Sequence, residues 1–217
     1  EACGMVEDKY GWNGVNVLHT AAARAGGLDL GFVPGKGGLD VGGILDAAEN
    51  GKLDMVYLLG ADEIDMNRLG GAFVVYQGHH GDRGAHRADV ILPGAAYTEK
   101  NATYVNTEGR VQQAQRAAFP PGDAREDWTV IRALSDVFGQ PLPYDDLKMV
   151  RGRLVDANST FLNVNEITPA PWGDFGKEGE PSSAPFRSPI DNFYMTDPIS
   201  RASATMAACT EQLGGGT

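Results

Sequence analysis

The densest run of potentially reactive side chains is Gly78-His79-His80-Gly81-Asp82, followed by His86 and Asp89. Imidazoles and carboxylates this close in sequence could ligate a metal or act as acid and base. The run follows a strand-like stretch, and open α/β sheets bind their ligands beyond the carboxyl ends of strands. Against that chemistry, adjacent His79 and His80 cannot easily share one ion, and the spacing matches no zincin motif. A solvated, glycine-punctuated loop with ordinary hydrogen bonds accounts for these residues better.

The other candidates are weaker. Gly35-Lys36-Gly37-Gly38 suggests a phosphate cradle, yet the P-loop pattern is absent, and Val41-Gly42-Gly43 does not complete a dinucleotide fingerprint. Ser135, Asp136 and Ser159 stand in no nucleophile elbow. Glu99 and Glu108 flank a turn and could pair as acid and base, but orienting backbone turns is the simpler role. The lone His19 is expected to be a structural residue on a helix. Cys3 and Cys209 are the two cysteines, and a structural zinc or iron–sulfur site needs about four such ligands in close spacing. A Cys3–Cys209 disulfide is disfavoured because the rest of the sequence reads as intracellular. No residue is therefore assigned as catalytic, cofactor-binding or metal-ligating.

Several elements would position these groups. Residues 15–25 predict an amphipathic helix with Val15, Leu18, Ala22 and Ala25 on one face and Gly26-Gly27 as its stop. A second helix starts at Asp40 as N-cap, buries Val41, Ile44, Leu45 and Ala48, and ends in a left-handed turn at Asn50-Gly51. Residues 54–60, 72–77 and 89–93 are short apolar runs, expected as strands buried on both faces. Their connections are long enough for crossovers, which predicts a doubly wound, mostly parallel α/β sheet. Residues 102–106 and 110–114 alternate in polarity and predict a β-hairpin turned at Gly109. Asp123 and Glu126 have capping-box spacing before a helix that carries Trp128, Ile131, Leu134 and Phe138 on one face and ends at Gly139 and Pro141.

Beyond about residue 160 the character changes. Pro169, Pro171, Pro181, Pro185 and Pro189 interrupt regular structure, while Trp172, Phe175, Phe186, Phe193 and Tyr194 are too aromatic for a solvating linker. An irregular arm lying against a surface is expected, followed by a helix from Asp197 as N-cap and Pro198 at N1 to about Cys209. The domain expectation is thus an α/β body over residues 1–150 and an arm with a C-terminal helix over 151–217. A net charge of −11 argues against a nucleic-acid or anionic-lipid surface. The longest apolar run, around Met55–Leu59, is far too short to span a bilayer. There is no charged-then-apolar leader, and Glu1 stands where an initiator Met would be, so the chain reads as a fragment or processed product.

A longer pattern is more informative. Ala88-Asp89-Val90-Ile91-Leu92-Pro93 leads through Glu99 to Asn106-Thr107-Glu108-Gly109-Arg110-Val111-Gln112, and then to Pro120-Pro121-Gly122-Asp123-Ala124 and Trp128. This ordered set resembles the third domain of molybdopterin oxidoreductases. The segments from Trp12 to His19 and from Gly27 to Phe32 are similar to the C-terminal part of the large iron–sulfur subunit of respiratory NADH:quinone oxidoreductase, complex I. So is the tail from Asn192 to Ser203. The resemblance implies a structural lobe of the peripheral arm, associated with electron transfer from NADH to quinone and coupled proton translocation. It also implies no redox centre on these residues, with 4Fe-4S and 2Fe-2S clusters in an N-terminal region not included here. The implied partners are that N-terminal region and other peripheral-arm subunits, with no nucleic acid and no membrane span of its own. The implied location is the cytoplasmic face of a bacterial plasma membrane or the matrix side of a mitochondrial inner membrane. Two alternatives remain open on the sequence. One is a catalytic molybdopterin enzyme of the formate dehydrogenase kind, its pterin near the Asn101–Arg110 loops; the other is a free-standing interaction module.

Overall fold

A computed structural model describes residues 6–7, 12–13, 16–22, 24–168, 179–180 and 182–213. In chain order the elements are β1 (Val6–Glu7), β2 (Trp12–Asn13), α1 (Arg24–Asp29), α2 (Val41–Glu49), β3 (Met55–Leu59), β4 (Phe73–Gly78), α3 (Arg83–Arg87), β5 (Val90–Pro93), β6 (Ala102–Val105), β7 (Val111–Ala114), α4 (Asp127–Val137), α5 (Leu147–Ala157), α6 (Pro198–Arg201) and α7 (Ala204–Leu213). They fall into two compact units: residues 39–96, 120–130 and 179–217, here the sheet unit, and residues 1–38, 97–119 and 131–178, the hairpin unit.

The sheet unit carries the expected parallel α/β sheet, in order β3-β4-β5, with Val56 opposite Val74 and Tyr76 opposite Ile91. Its core consists of Leu45, Ala48, Val56, Leu58, Leu69, Ala72, Val74 and Tyr76. Asp40 caps α2 as predicted, its Oδ1 accepting from Gly43 N at 2.8 Å, and Gly51 turns the chain with φ +66°. The strands depart from the expectation of burial on both faces. Val56, Leu58, Val74 and Tyr76 are buried, whereas Met55, Leu59 and Phe73 on the opposite face are exposed, as are Val90 and Ile91 of β5. The cause is that α2 and the 3₁₀ turn Met66–Leu69 pack onto one side of the sheet. On α2 the predicted face is too wide: Leu45 and Ala48 are buried, but Val41 and Ile44 are exposed.

The tail helix begins as predicted, with Asp197 accepting from Ile199 N and Ser200 N and Pro198 in the first turn. It does not run unbroken to Cys209. α6 ends at Arg201, and Ser203 starts α7 by accepting from Met206 N at 3.3 Å. Pro185 and Pro189 lie in irregular chain, and Phe186 and Phe193 are exposed. Pro169, Pro171, Trp172, Phe175 and Pro181 lie outside the described residues.

In the hairpin unit β6 and β7 pair antiparallel, Val105 opposite Val111, with the turn closed at Gly109 (φ +82°) as predicted. Val105, Val111 and Phe161 form the core, covered by Ala25, Leu154, Val155 and Val164. The helix predicted over 15–25 is displaced. Residues 16–19 are irregular, and α1 passes through Gly26-Gly27 instead of stopping there. Gly26 is needed for closeness, since a Cβ there would lie 3.3 Å from Val105 Cγ2. The true stop is Gly31 at φ +68°, where Phe32 N donates to Gly27 O and Gly31 N to Leu28 O. α4, whose first residues 127–130 belong to the sheet unit and the rest to the hairpin unit, begins four residues beyond the predicted Asp123 cap, because the chain first makes a turn in which Ala124 N donates to Pro121 O. Within α4's apolar face Trp128, Ile131 and Leu134 are half-buried, but Phe138 is exposed beyond the last turn; Gly139 ends the helix as expected. Two elements were unforeseen. α5 is capped by Asp146, whose Oδ1 accepts from Met149 N at 2.7 Å, and the short strands β1 and β2 pair antiparallel.

Candidate functional site

Ligand chemistry in a parallel sheet is expected where its strands end, so the carboxyl edge of β3, β4 and β5 is the place to look. Backbone bonds set its shape: Gly60 N donates to Gln77 O and Gly94 N to Gly78 O, both at 2.8 Å. Ala95 N donates to Arg125 O at 2.8 Å, which holds the 120–130 segment beside β5. Gln77 is fully buried, accepts from the Tyr57 hydroxyl, and donates through Nε2 to Asp127 Oδ1 at 2.9 Å. Burial, with the Asp127 charge adding to it, pushes the Tyr57 hydroxyl above its ordinary pKa, so it stays a neutral donor.

The histidine loop does not assemble as one site. His79 and His80 meet edge to face, their Nδ1 atoms 2.7 Å apart, so at least one ring is neutral there. Asp82 caps α3, accepting from Arg83 N at 2.8 Å. Asp89 accepts from Val74 N at 2.7 Å and lies 3.5 Å from Arg87. His86 points elsewhere, into a surface cavity of about 720 Å3 lined also by Asp65, Asn67, Arg83 and Arg87. Among the described residues no three of His, Cys, Asp and Glu come together as a metal site.

The residues that do converge were not singled out as a group from sequence. Asp62, after β3, is buried, and Arg201 of the tail reaches it with Nη2 3.1 Å from Oδ1. The same guanidinium donates through Nε to Asp82 Oδ2 at 2.6 Å and lies 3.7 Å from Glu63. Burial raises the Asp62 carboxyl above its usual range, and the Arg201 charge offsets this only in part. For Asp82 burial acts in the same upward direction, but the bonds from Arg201 and Arg83 N outweigh it and the carboxyl falls below its usual range. The ordered tail around Asp197 and Pro198 was legible; its partners were not, because a separation of 119 residues leaves no local pattern.

The remaining candidates are structural or peripheral. Lys36 lies in an exposed turn closed by Gly38 N to Gly35 O at 2.9 Å. Ser135 is buried, donating to Arg132 O and accepting from Leu142 N, and Asp136 pairs with Arg132. Ser159 opens a 3₁₀ turn, and Glu108 lies 3.4 Å from Arg110. His19 is not on a helix; it lines a cavity of about 340 Å3 with Tyr104 and Gln112. Cys209 is a half-buried free thiol, and Cys3 lies outside the described residues.

A parallel α/β sheet followed by the strand–hairpin passage through Pro93 and Gly109 defines the class. The family model described as molybdopterin oxidoreductase matches residues 1–137, and the chain belongs to that family. A second model, for the C-terminal region of an NADH-ubiquinone oxidoreductase subunit, matches residues 166–209, so both parts of the expected resemblance are borne out. The chain is 48% identical over 214 residues to the NADH-ubiquinone oxidoreductase 78 kDa subunit, mitochondrial, of Candida albicans, covering 94% of this chain and 28% of that protein. It is 46% identical over 210 residues to the NADH-ubiquinone oxidoreductase 75 kDa subunit of Reclinomonas americana, covering 92% and 29%. It is 46% identical over 206 residues to the NADH dehydrogenase [ubiquinone] iron-sulfur protein 1, mitochondrial, of Solanum tuberosum, covering 93% and 27%. The chain thus spans less than a third of the length of these relatives.

The family name raises the question of a molybdopterin. At the carboxyl edge the Arg201 guanidinium is already matched by Asp62, Glu63 and Asp82, which leaves the notch acidic. Those residues do not fit a phosphate-bearing, anionic cofactor, which needs free cations or backbone N–H groups.

Proposed function

We propose that this chain is the structural lobe of the large iron–sulfur subunit of a respiratory NADH:quinone oxidoreductase, contributing no redox centre of its own. The observation that carries the reading is the similarity over more than nine-tenths of the chain to 75 and 78 kDa subunits of that enzyme. The edge chemistry supports it, since Gln77 is engaged by Tyr57 and Asp127, and Asp82 by Arg201 Nε and Arg83 N. Electron transfer from NADH to quinone, and the proton translocation coupled to it, belong to the whole assembly. In it, 4Fe-4S and 2Fe-2S clusters lie in the N-terminal region of the subunit, which together with other peripheral-arm subunits is this lobe's partner. Among the described residues no helix is long and apolar enough to cross a membrane. The lobe sits peripherally, on the matrix side of a mitochondrial inner membrane or the cytoplasmic face of a bacterial one. Residues 1–150 form the molybdopterin-oxidoreductase-like body and 151–217 the arm, a division supported by the separate family matches over 1–137 and 166–209.

Substitution within the edge of the full-length subunit tests this. Gln77→Ala is expected to lower the amount of assembled enzyme while turnover per assembled complex and the iron–sulfur spectra stay unchanged. Stoichiometric molybdenum in the purified enzyme, or loss of a cluster signal in that variant at full assembly, would overturn the reading.

A further inference from the structure

Two of the polar side chains between Asn192 and Arg201 serve their own neighbourhood. Asn192 caps the 3₁₀ turn Phe193–Met195, accepting from Tyr194 N at 3.0 Å, and its amide donates to Thr210 Oγ1 at 3.2 Å. Asp197 caps α6. Arg201 does something else. Although Nη1 donates to Met195 O at 3.3 Å, the head of the side chain ends among carboxylates that follow β3 and β4. Its side chain and those of Asp62 and Asp82 are 19%, 4% and 14% exposed, so all three charges are largely withdrawn from water together. Asp62 Oδ2 and Arg201 Nη2 have no hydrogen-bond partner among the described residues, so the pairing of Asp62 with Arg201 at 3.1 Å is carried by charge rather than by a matched hydrogen bond.

We infer that Asp62 and Asp82 form an intramolecular docking site for the Arg201 guanidinium, which seats the 192–213 segment on the carboxyl edge of the sheet and closes that edge to other ligands. A carboxylate as buried as Asp62 is tolerated only beside a countercharge, and the tail supplies it. The planar fork can address Asp82 through Nε while turning Nη2 to Asp62, a division that a lysine ammonium on a flexible stem does not reproduce. Glu63 is the built-in contrast, since its carboxylate is 65% exposed and 3.7 Å away, in the range where ion pairs add little. Arg201 is thus a positioning residue. The role stands whether or not the lobe lacks redox centres.

Hydrogen–deuterium exchange of the full-length subunit in the intact membrane complex tests the docking. Arg201→Ala is expected to speed exchange of the 192–213 peptides and of residues 78–82 by about tenfold or more, because both sides of a buried pair are released. Asp82→Asn keeps an oxygen to cap α3 but loses the charge; it should speed exchange in 192–213 with residues 83–87 unaffected. Glu63→Gln should leave 192–213 as in the wild type. If Arg201→Ala does not accumulate, Arg201→Lys is read at the same peptides and should exchange faster than wild type. Unchanged exchange in 192–213 for Asp82→Asn or for Arg201→Lys would overturn the proposal, as would an effect of Glu63→Gln equal to that of Asp82→Asn.

Discussion

The sheet unit and the hairpin unit hold their strands by different means. Eight buried residues, four on β3 and β4 and four packed against them, fix the sheet mainly by shape. The hairpin has three, Val105, Val111 and Phe161, and its register depends more on side chains that grip backbone. Asn106 Oδ1 accepts from both Glu108 N and Arg110 N at 3.0 Å, which sets the turn. Asn165 adopts φ +67°, a left-handed conformation asparagine tolerates, and donates its N–H to Val111 O at 2.7 Å while its carbonyl accepts from Arg110 Nη1 at 2.6 Å. Asn158 ties α5 to α1 through Asp29 O at 3.0 Å. A large apolar core tolerates exposure at its margin, as Met55 and Phe73 show, but not a void. A small core tolerates modest repacking but not the loss of a backbone grip.

The sharpest way to break this contrast is a void at the centre of the sheet unit. Tyr76 is 2% exposed, and its ring abuts both Gly78 and Gly84, where an added Cβ at Gly84 would come within 2.6 Å. Tyr76→Ala is expected to destabilise the chain by about 4 kcal/mol. Denaturant unfolding measures it, and a loss under about 1 kcal/mol would mean that the core closes around the gap. Tyr76→Phe, which removes only the long 3.4 Å bond to His80 O, should change stability by less than about 1 kcal/mol.

The contrast predicts that a polar residue matters more in the hairpin. Asn106→Ala removes the acceptor shared by two N–H groups at a surface turn, and about 2 kcal/mol is expected, more than a typical exposed polar substitution. Exchange rates of the β6 and β7 amides should rise while those of β3 and β4 do not. Equal effects on both sets would show that the hairpin is not the local unit.

Both regions were legible in the sequence only where their patterns are local. β3, β4, β5 and the hairpin were legible because their patterns are local: apolar runs of a few residues, and Gly109 with its positive φ. Asp40 and Asp197 were legible as caps for the same reason, a short side chain three residues before an N–H it accepts from. The helix over 15–25 was misplaced because Gly26-Gly27 reads locally as a stop. Its real role is to bring α1 against Val105, a contact across 79 residues of sequence, from 26 to 105. The Arg201 notch was missed on the same ground. Asp62, Asp82 and Arg201 each sit in an ordinary local context, and only the folded sheet makes them one group.

The smallest of the expected effects concerns a cap rather than a core. Asp197 accepts from Ile199 N, Ser200 N and the Ser200 hydroxyl, and Asp197→Ala should cost about 1 kcal/mol. Its pH dependence has a definite sign. The Ser200 hydroxyl bond is the largest influence on this carboxyl; burial opposes it, but the backbone N–H bonds and the Arg201 charge add to it, and the group lies below its usual range. The fold therefore prefers the ionised form, and the cap's contribution is complete above the unfolded carboxylate value of about pH 4. As pH falls through the lower folded value that contribution is lost. The difference in stability between wild type and Asp197→Ala should accordingly shrink below about pH 4 and be flat from pH 5 to 8. Stability curves of the two proteins across that range decide it, and a difference that widens on acidification would show that Asp197 acts in the fold as a neutral acid, not as an ionised cap.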